Sequence, residues 1–311
     1  MSGRRPGGMD YHGNVPYCYA NSLAMMLSVH GDRVRPGLIE ALTGVGLGAF
    51  RVPEDGRVFF SAITPNQGLD AALGLLGCEF TGTHGPDGTS AEEILRKDLA
   101  TGPVLLGPLD MGHLTYVPFH RDVPGADHYV VAYDIDDEGV FLHDPAGFPC
   151  AKLGFADLEA AWRGERVEYE HGVYQRWREI GPSKEVDYSQ ARAYFGEIYR
   201  ENPGAGDTIR LLAADLRGPV TPDLAGFLTG FALPLGARRA LDFAVLFEQG
   251  GDTELVTAKN TQAHLFARAQ ALGLRDRWAD AAGVLDELAT CEDAIERGLL
   301  IDKPSTRSII R

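Results

Sequence analysis

Cys18, His128 and Asp144, in that order along a 311-residue chain, are the side-chain types that thiol-based acyl chemistry requires. A thiolate attacks a carbonyl, an imidazole moves the proton, and a carboxylate holds the ring in one tautomer. Cys18 lies in Val15-Pro-Tyr-Cys-Tyr-Ala-Asn-Ser-Leu-Ala-Met-Met-Leu27, where Leu23, Met26, Leu27 and Val29 recur at helical spacing. The turn Gly13-Asn14-Val15-Pro16 precedes it, and proline suits the first turn of a helix. Cys18 is therefore expected at a helix N-terminus, where unpaired amides and the positive dipole end favour a thiolate. The plainer reading is a small buried hydrophobe, as most free cysteines are.

His128 opens a second stretch, Ala126-Asp-His-Tyr-Val-Val-Ala-Tyr-Asp-Ile135, whose Tyr, Val and Ile density marks a strand. Asp136-Asp-Glu-Gly139 is turn chemistry, and Val140-Phe-Leu-His-Asp-Pro145 is a second strand ending at proline. Antiparallel pairing returns Asp144 toward the strand that begins with His128. A one-residue slip in register separates the two onto opposite faces. If they share a face, the carboxylate holds one ring nitrogen and leaves the other to act as a base. Alone, His128 reads equally as a satisfied structural histidine.

The elements that must position these residues fall in the first part of the chain. A helical pattern over Pro36–Leu47, a strand near Arg57–Phe60 and a helix over Asn66–Leu76 follow the cysteine helix. Ser90-Ala-Glu-Glu93 has the form of a capping box opening a helix to Ala100, before a buried strand Val104–Leu106. The long loop from Pro108 to Ala126 is rich in polar and aromatic residues, as binding loops are. From about residue 185 the pattern is helical throughout, over Tyr188–Glu201, Asp207–Leu216, Pro222–Ala232, Ala237–Gln249, Glu254–Leu272 and Trp278–Leu299. The expected organisation is a flexible lead at 1–10, a catalytic domain over 11–180, a helical domain over 181–302 and a loose tail at 303–311.

Composition narrows the function classes. A net charge of −15 argues against a nucleic-acid binder, whose affinity comes from Lys and Arg on phosphates. No apolar run approaches the length of a membrane span, and the two N-terminal arginines lack an apolar segment after them. Four cysteines (Cys18, Cys78, Cys150, Cys291) with no CxxC pair fit reduced thiols in the cytoplasm. Nine histidines include no HxH, HExxH or paired Cys–His spacing, so no metal or other cofactor is expected. Arg163, Arg166, Arg176 and Arg178 cluster as a solvated face, with docking of an acidic partner as the alternative.

The pieces PYCYANSLAMML, HYVVAYDIDDEGVFLHDPAG and FADLEAAW resemble the cysteine-peptidase-like domain of bacteriocin-leader peptidases, a papain-like arrangement. The whole-chain layout is similar to the butirosin biosynthesis protein H family, which joins such a domain to a helical C-terminal one. The fold this resemblance implies is α+β, with an antiparallel sheet packed on the Cys helix, followed by an all-α domain. It also implies an acyltransferase of natural-product biosynthesis. An acyl group would pass from a carrier-protein or CoA thioester to Cys18 and then to a small-molecule amine, with His128 as general base and acid and Asp144 as orienter. Papain-like sites place Gln six residues before the cysteine; here that position is His12, with Asn14 nearby, as candidate oxyanion donors beside the Cys18 amide. Asp110, His113 and Tyr116 of the long loop are candidate acceptor contacts, Asp110 for a cationic amine. The same triad could instead hydrolyse a peptide or amide, or release the acyl group by ring closure. A degenerate domain that binds a leader peptide or carrier protein is the non-enzymatic alternative. Cys78 reads as packing, Cys291 as core or surface filler, and Cys150, in a loop with no helix start, as a weak second nucleophile.

Overall fold

The computed structural model describes residues 8–13, 16–83, 85, 88–169 and 174–301, and the backbone of 308–309. The chain divides into two compact units, Met1–Ile39 with Pro65–Lys184, and Glu40–Thr64 with Glu185–Arg311. In chain order the elements are helices α1 (Cys18–Ser28) and α2 (Pro36–Thr43), strands β1 (Phe50–Arg51) and β2 (Val58–Phe59), and helix α3 (Pro65–Leu75). Strand β3 (Thr81–Thr83), helix α4 (Ala91–Asp98) and strands β4 (Val104–Asp110), β5 (Asp127–Ile135), β6 (Gly139–Asp144) and β7 (Phe148–Gly154) follow. Helix α5 (Phe155–Arg163) and strand β8 (Arg176–Arg178) complete the first unit. Strand β9 (Val186–Asp187), helices α6 (Tyr188–Glu201), α7 (Ala205–Asp215), α8 (Pro222–Phe227), α9 (Leu233–Gly250), α10 (Thr253–Gly273) and α11 (Trp278–Leu300), and strand β10 (Ser308–Ile309) belong to the second.

The first unit is built on a six-stranded sheet in the order β3-β8-β4-β5-β6-β7, with every neighbouring pair antiparallel. Strand β4 is buried along its whole length, as a central strand covered on both faces must be. One face packs on α4 and α5 through Ile94, Leu95, Leu106, Leu109, Val130, Leu142, Leu158 and Trp162. Helix α4 starts at a complete capping box, with the Ser90 side chain and Glu93 each satisfying the other's amide. Helix α1, buried from Tyr19 to Leu27, is tied to β5 by the Ser22 hydroxyl, which donates to the Tyr129 carbonyl at 3.1 Å. The Tyr19 and Tyr129 rings meet edge to face at 5.7 Å.

The second unit is helical apart from two short ribbons, β1 with β2 and β9 with β10. Its core joins Val58 and Phe60 to residues of α7, α9, α10 and α11, with the Phe60 and Phe266 rings 4.7 Å apart. Helix α8 is capped by Thr221 and passes through a single π-helical turn, Leu228–Ala232, into α9.

Several expectations are corrected. Residues 40–64 pack with the helical unit, because Val58 and Phe60 bury their side chains in its core; the stretch 11–180 is therefore not one continuous domain. The lead is not loose throughout: Met9 is buried, and the Asp10 amide donates to Ser28 Oγ at 2.8 Å. Likewise, residues 308–309 of the tail pair with β9. Cys150 lies within β7 rather than in a loop. Finally, Arg176 is buried against Asp98 and Arg178 pairs with Asp98 and Glu179, so these cations are not a free basic face. Among the described residues, no helix is long and apolar enough to cross a membrane.

Candidate active site

Cys18 is the first residue of α1, and Tyr17 at the N-cap contributes no side-chain cap. The thiol thus stands at the positive end of the helix, half-buried, while the next nine residues of α1 are buried. Its own amide donates to the Pro16 carbonyl at 2.7 Å. That amide is therefore engaged in the turn before the helix, and is not available to an oxyanion in this conformation.

The β5–β6 register decides the geometry of the other two groups. Val131 faces His143 and Ala132 faces Leu142. One further step along this register sets Asp144 opposite Val130, two residues from His128 and on its face. His128 Nε2 then lies 2.7 Å from Asp144 Oδ1. With Nε2 held by the carboxylate, Nδ1 is the nitrogen left for sulfur, and the Cys18 side chain is within hydrogen-bonding reach of the ring.

Asp144 has no solvent exposure, and its charge is met by three donors. Oδ1 accepts from His128 and from the Ala146 amide at 2.6 Å, and Oδ2 accepts from the Tyr116 hydroxyl at 2.7 Å. Burial alone pushes the carboxyl pKa up, but the His128 charge and these hydrogen bonds outweigh it and hold the group below the usual carboxylate range. Burial alone would also lower the His128 pKa; Asp144, with a smaller contribution from Cys18, raises it well above the ordinary histidine value. The surroundings therefore favour the protonated form of a ring that has a carboxylate on one side and the Cys18 side chain within reach.

The remaining sequence candidates are placed as follows. His12 is half-buried, and burial lowers its pKa, so its ring is neutral at neutral pH with one N–H to donate. Asn14 lies outside the described residues. Asp110 is 1% exposed, and its Oδ1 accepts from the Gly112 and Gly125 amides, both at 2.8 Å. A buried carboxylate fastening both ends of its own loop is not placed to meet an amine, which corrects the expected role. His113 Nε2 is 3.9 Å from Asp110 Oδ2 on the half-exposed side of that loop. Tyr116 turns inward to Asp144 rather than toward an acceptor.

Sequence reasoning missed Tyr11, whose hydroxyl donates to the Asp144 carbonyl at 2.7 Å and whose ring meets His143 edge-on at 5.7 Å. It also missed the chain in which Tyr169 donates to Asp127 at 2.8 Å and lies 3.1 Å from the Tyr129 hydroxyl, beside His128 in sequence. Neither carries a local motif, since each contact joins segments distant along the chain. Cys150 is exposed with φ of 58°, its amide donates to His143 Nδ1, and its sulfur engages Tyr133. Among the described residues, no group of three or more His, Cys, Asp or Glu could hold a metal ion.

Residues 200–300 match the family model described as the YobF C-terminal domain. Over 304 residues the chain is 36% identical to Uncharacterized protein YobF of Bacillus subtilis (strain 168), covering 93% of this chain and 98% of that protein. A crystal structure of a putative C39-like peptidase from Bacillus anthracis aligns with 57% of this chain and 97% of its own, at 20% identity and a TM-score of 0.39.

Proposed function

The chain belongs to the YobF family, and for this member we propose a papain-like, cysteine-dependent acyl transfer from a thioester donor to an amine. The observation that carries the reading is His128, buried with Nε2 2.7 Å from the Asp144 carboxylate and with the Cys18 side chain within hydrogen-bonding reach of the same ring. In the first step the Cys18 thiolate attacks the donor carbonyl, and the tetrahedral adduct collapses to acyl-Cys18. The leaving thiol takes its proton from the His128 imidazolium. In the second step the amine attacks the acyl-Cys18 carbonyl, His128 Nδ1 removes its proton, and the Cys18 sulfur leaves, restoring the ion pair. Asp144 holds the His128 ring through both its protonated and its neutral form.

The whole-chain layout, a domain with these cysteine-peptidase-like motifs followed by a helical one, is similar to that of the butirosin biosynthesis protein H family, and this resemblance favours transfer over hydrolysis, with a carrier-protein or CoA thioester as donor. His12 is the candidate oxyanion donor, being neutral and close in sequence to Cys18. A free amine outcompetes water for a thioester when the cleft excludes water.

Intact-protein mass spectrometry with a panel of acyl-CoA and acyl-N-acetylcysteamine thioesters tests this reading. The expected result is a single acyl adduct on Cys18, absent in Cys18→Ala, that is discharged faster by added amines than by buffer. Discharge by water at the same rate, with peptide cleavage that needs no thioester, makes the protein a hydrolase. Failure of every donor to label Cys18 overturns the acyl-enzyme.

A further inference from the structure

The loop between β4 and β5 is held more firmly than its length suggests. At its base, Asp110 Oδ1 accepts the Gly112 and Gly125 amides, and the Met111 amide donates to the Ala126 carbonyl at 2.9 Å. Along it, Thr115 Oγ1 donates to Asp157 Oδ2 of α5 at 2.8 Å. Leu114 and Val117 are fully buried in the core beneath α5, and the Val117 amide donates to the Leu114 carbonyl at 2.8 Å. Tyr116 sits between these two anchors, so its backbone has little freedom, and its ring rests edge-on against Phe148 at 5.9 Å. The hydroxyl thereby arrives at Asp144 Oδ2, opposite the oxygen that faces His128.

We propose that Tyr116 is a positioning residue for the thiol site: by donating to Asp144 Oδ2 it keeps the carboxylate ionised and turned so that Oδ1 faces the His128 ring. The inference rests on the acyl-Cys18 reading and deepens it by adding a fourth member that reaches the sulfur only through two intermediaries. Because Asp144 is wholly buried, no solvent replaces a donor removed from Oδ2. Without that donor the carboxyl takes a proton at higher pH. The imidazolium then loses its counter-ion, and the Cys18 sulfur loses the positive charge beside it. The phenol itself stays protonated across the working range, since burial and the adjacent Asp144 charge push its pKa well above the ordinary tyrosine value.

The test reads Cys18 without a natural substrate, as the rate of alkylation by iodoacetamide against pH, followed by peptide mapping. Cys78, which is buried, gauges folding in the same digest. Wild-type protein is expected to show a low-pH step from the ion pair, and His128→Ala to lose it. In Tyr116→Phe that step moves upward, slowing alkylation on the acid limb about three- to tenfold, with the alkaline limb unchanged. Asp144→Asn displaces the step as well, and adding Tyr116→Phe to it changes nothing further. Superimposed wild-type and Tyr116→Phe profiles, or equal slowing at every pH, overturn the role of Tyr116 while leaving His128 in place. An additive effect on top of Asp144→Asn overturns it too. A wild-type profile that His128→Ala does not alter overturns the acyl-Cys18 reading, and the role of Tyr116 with it.

Discussion

Two buried carboxylates, one in each unit, have nearly the same surroundings and opposite consequences. Asp144 accepts a tyrosine hydroxyl, a backbone amide and a side-chain N–H, from Tyr116, Ala146 and His128. Glu292, 2% exposed, accepts the same three kinds of donor, from Tyr199 at 2.5 Å, Gly48 at 3.1 Å and Gln262 at 2.5 Å. The difference is what lies beyond the side-chain N–H. From Asp144 the network runs through an imidazole, which can carry a proton on either nitrogen, to a half-buried thiol. From Glu292 it runs through an amide, which cannot, to the fully buried Lys259 ammonium, 2.8 Å from Gln262 Oε1 and 4.9 Å from the Phe243 ring centroid. Cys291, next to Glu292 in sequence, has its pKa pushed up to about 11, chiefly by burial, and donates to the Ala258 carbonyl. A satisfied buried carboxylate is thus compatible with either role; a titratable group leading toward solvent distinguishes the first from the second.

The largest expected effects separate the two networks. Cys18→Ala or His128→Ala removes acyl-enzyme turnover by about four orders of magnitude or more, as read by adduct mass spectrometry, and Cys18→Ala, which leaves the His128–Asp144 pair in place, shifts the melting temperature little by calorimetry. Glu292→Ala does the reverse. It leaves the Tyr199 hydroxyl and the Gln262 amide without their acceptor and strips the buried ammonium of its carboxylate, at a cost of about 3–5 kcal/mol in denaturant titrations, while Cys18 in the folded fraction still labels. Loss of Cys18 labelling in folded Glu292→Ala would break the comparison.

Opposite pH slopes sharpen it. The raised His128 pKa means that its contribution to stability is complete below the unfolded value near about 6.5 and declines as pH rises through the folded value. At the acid end it is lost again as Asp144 protonates, below the usual carboxylate range. Lys259 has a lowered pKa, chiefly from burial. Its penalty is greatest below the folded value and is relieved as pH climbs toward about 10.4. The stability difference between wild type and His128→Ala should therefore shrink with rising pH above neutrality. The difference between wild type and Lys259→Met should move in favour of wild type on the alkaline side.

Smaller effects follow at the margins of the site. Asp110→Ala leaves two loop amides without their acceptor and should cost about 1–3 kcal/mol by denaturant titration, with slower turnover because Tyr116 rides on the same loop. Arg163→Ala, whose ion pairs with Glu159 and Glu165 are exposed, should change stability by less than about 0.5 kcal/mol.

Legibility in the sequence followed the length of the pattern. Helices such as α6, α10 and α11 repeat their apolar residues over 14, 21 and 23 positions, long enough for a 3.6-residue period to stand out. Strands β3 and β8 have three residues each and no period to read, so the sheet is wider than the sequence suggested. Loop residues were the hardest to read. Asp110 and Tyr116 are polar types suited to ligand contact, and only their burial and partners show that one fastens the loop and the other reaches Asp144.

The chain's order alone determined that a cysteine would open a helix, that a histidine would begin a strand, and that an aspartate would end the next one, because proline, turn residues and side-chain period act locally. Tertiary structure decided the rest. The pairing of Val131 with His143 put Asp144 on the face of His128, the core chose Val58 and Phe60 for the helical unit, and the anchored loop carried Tyr116 to a carboxylate 28 residues away. Such choices depend on which distant surfaces bury each other, and no local spacing records them.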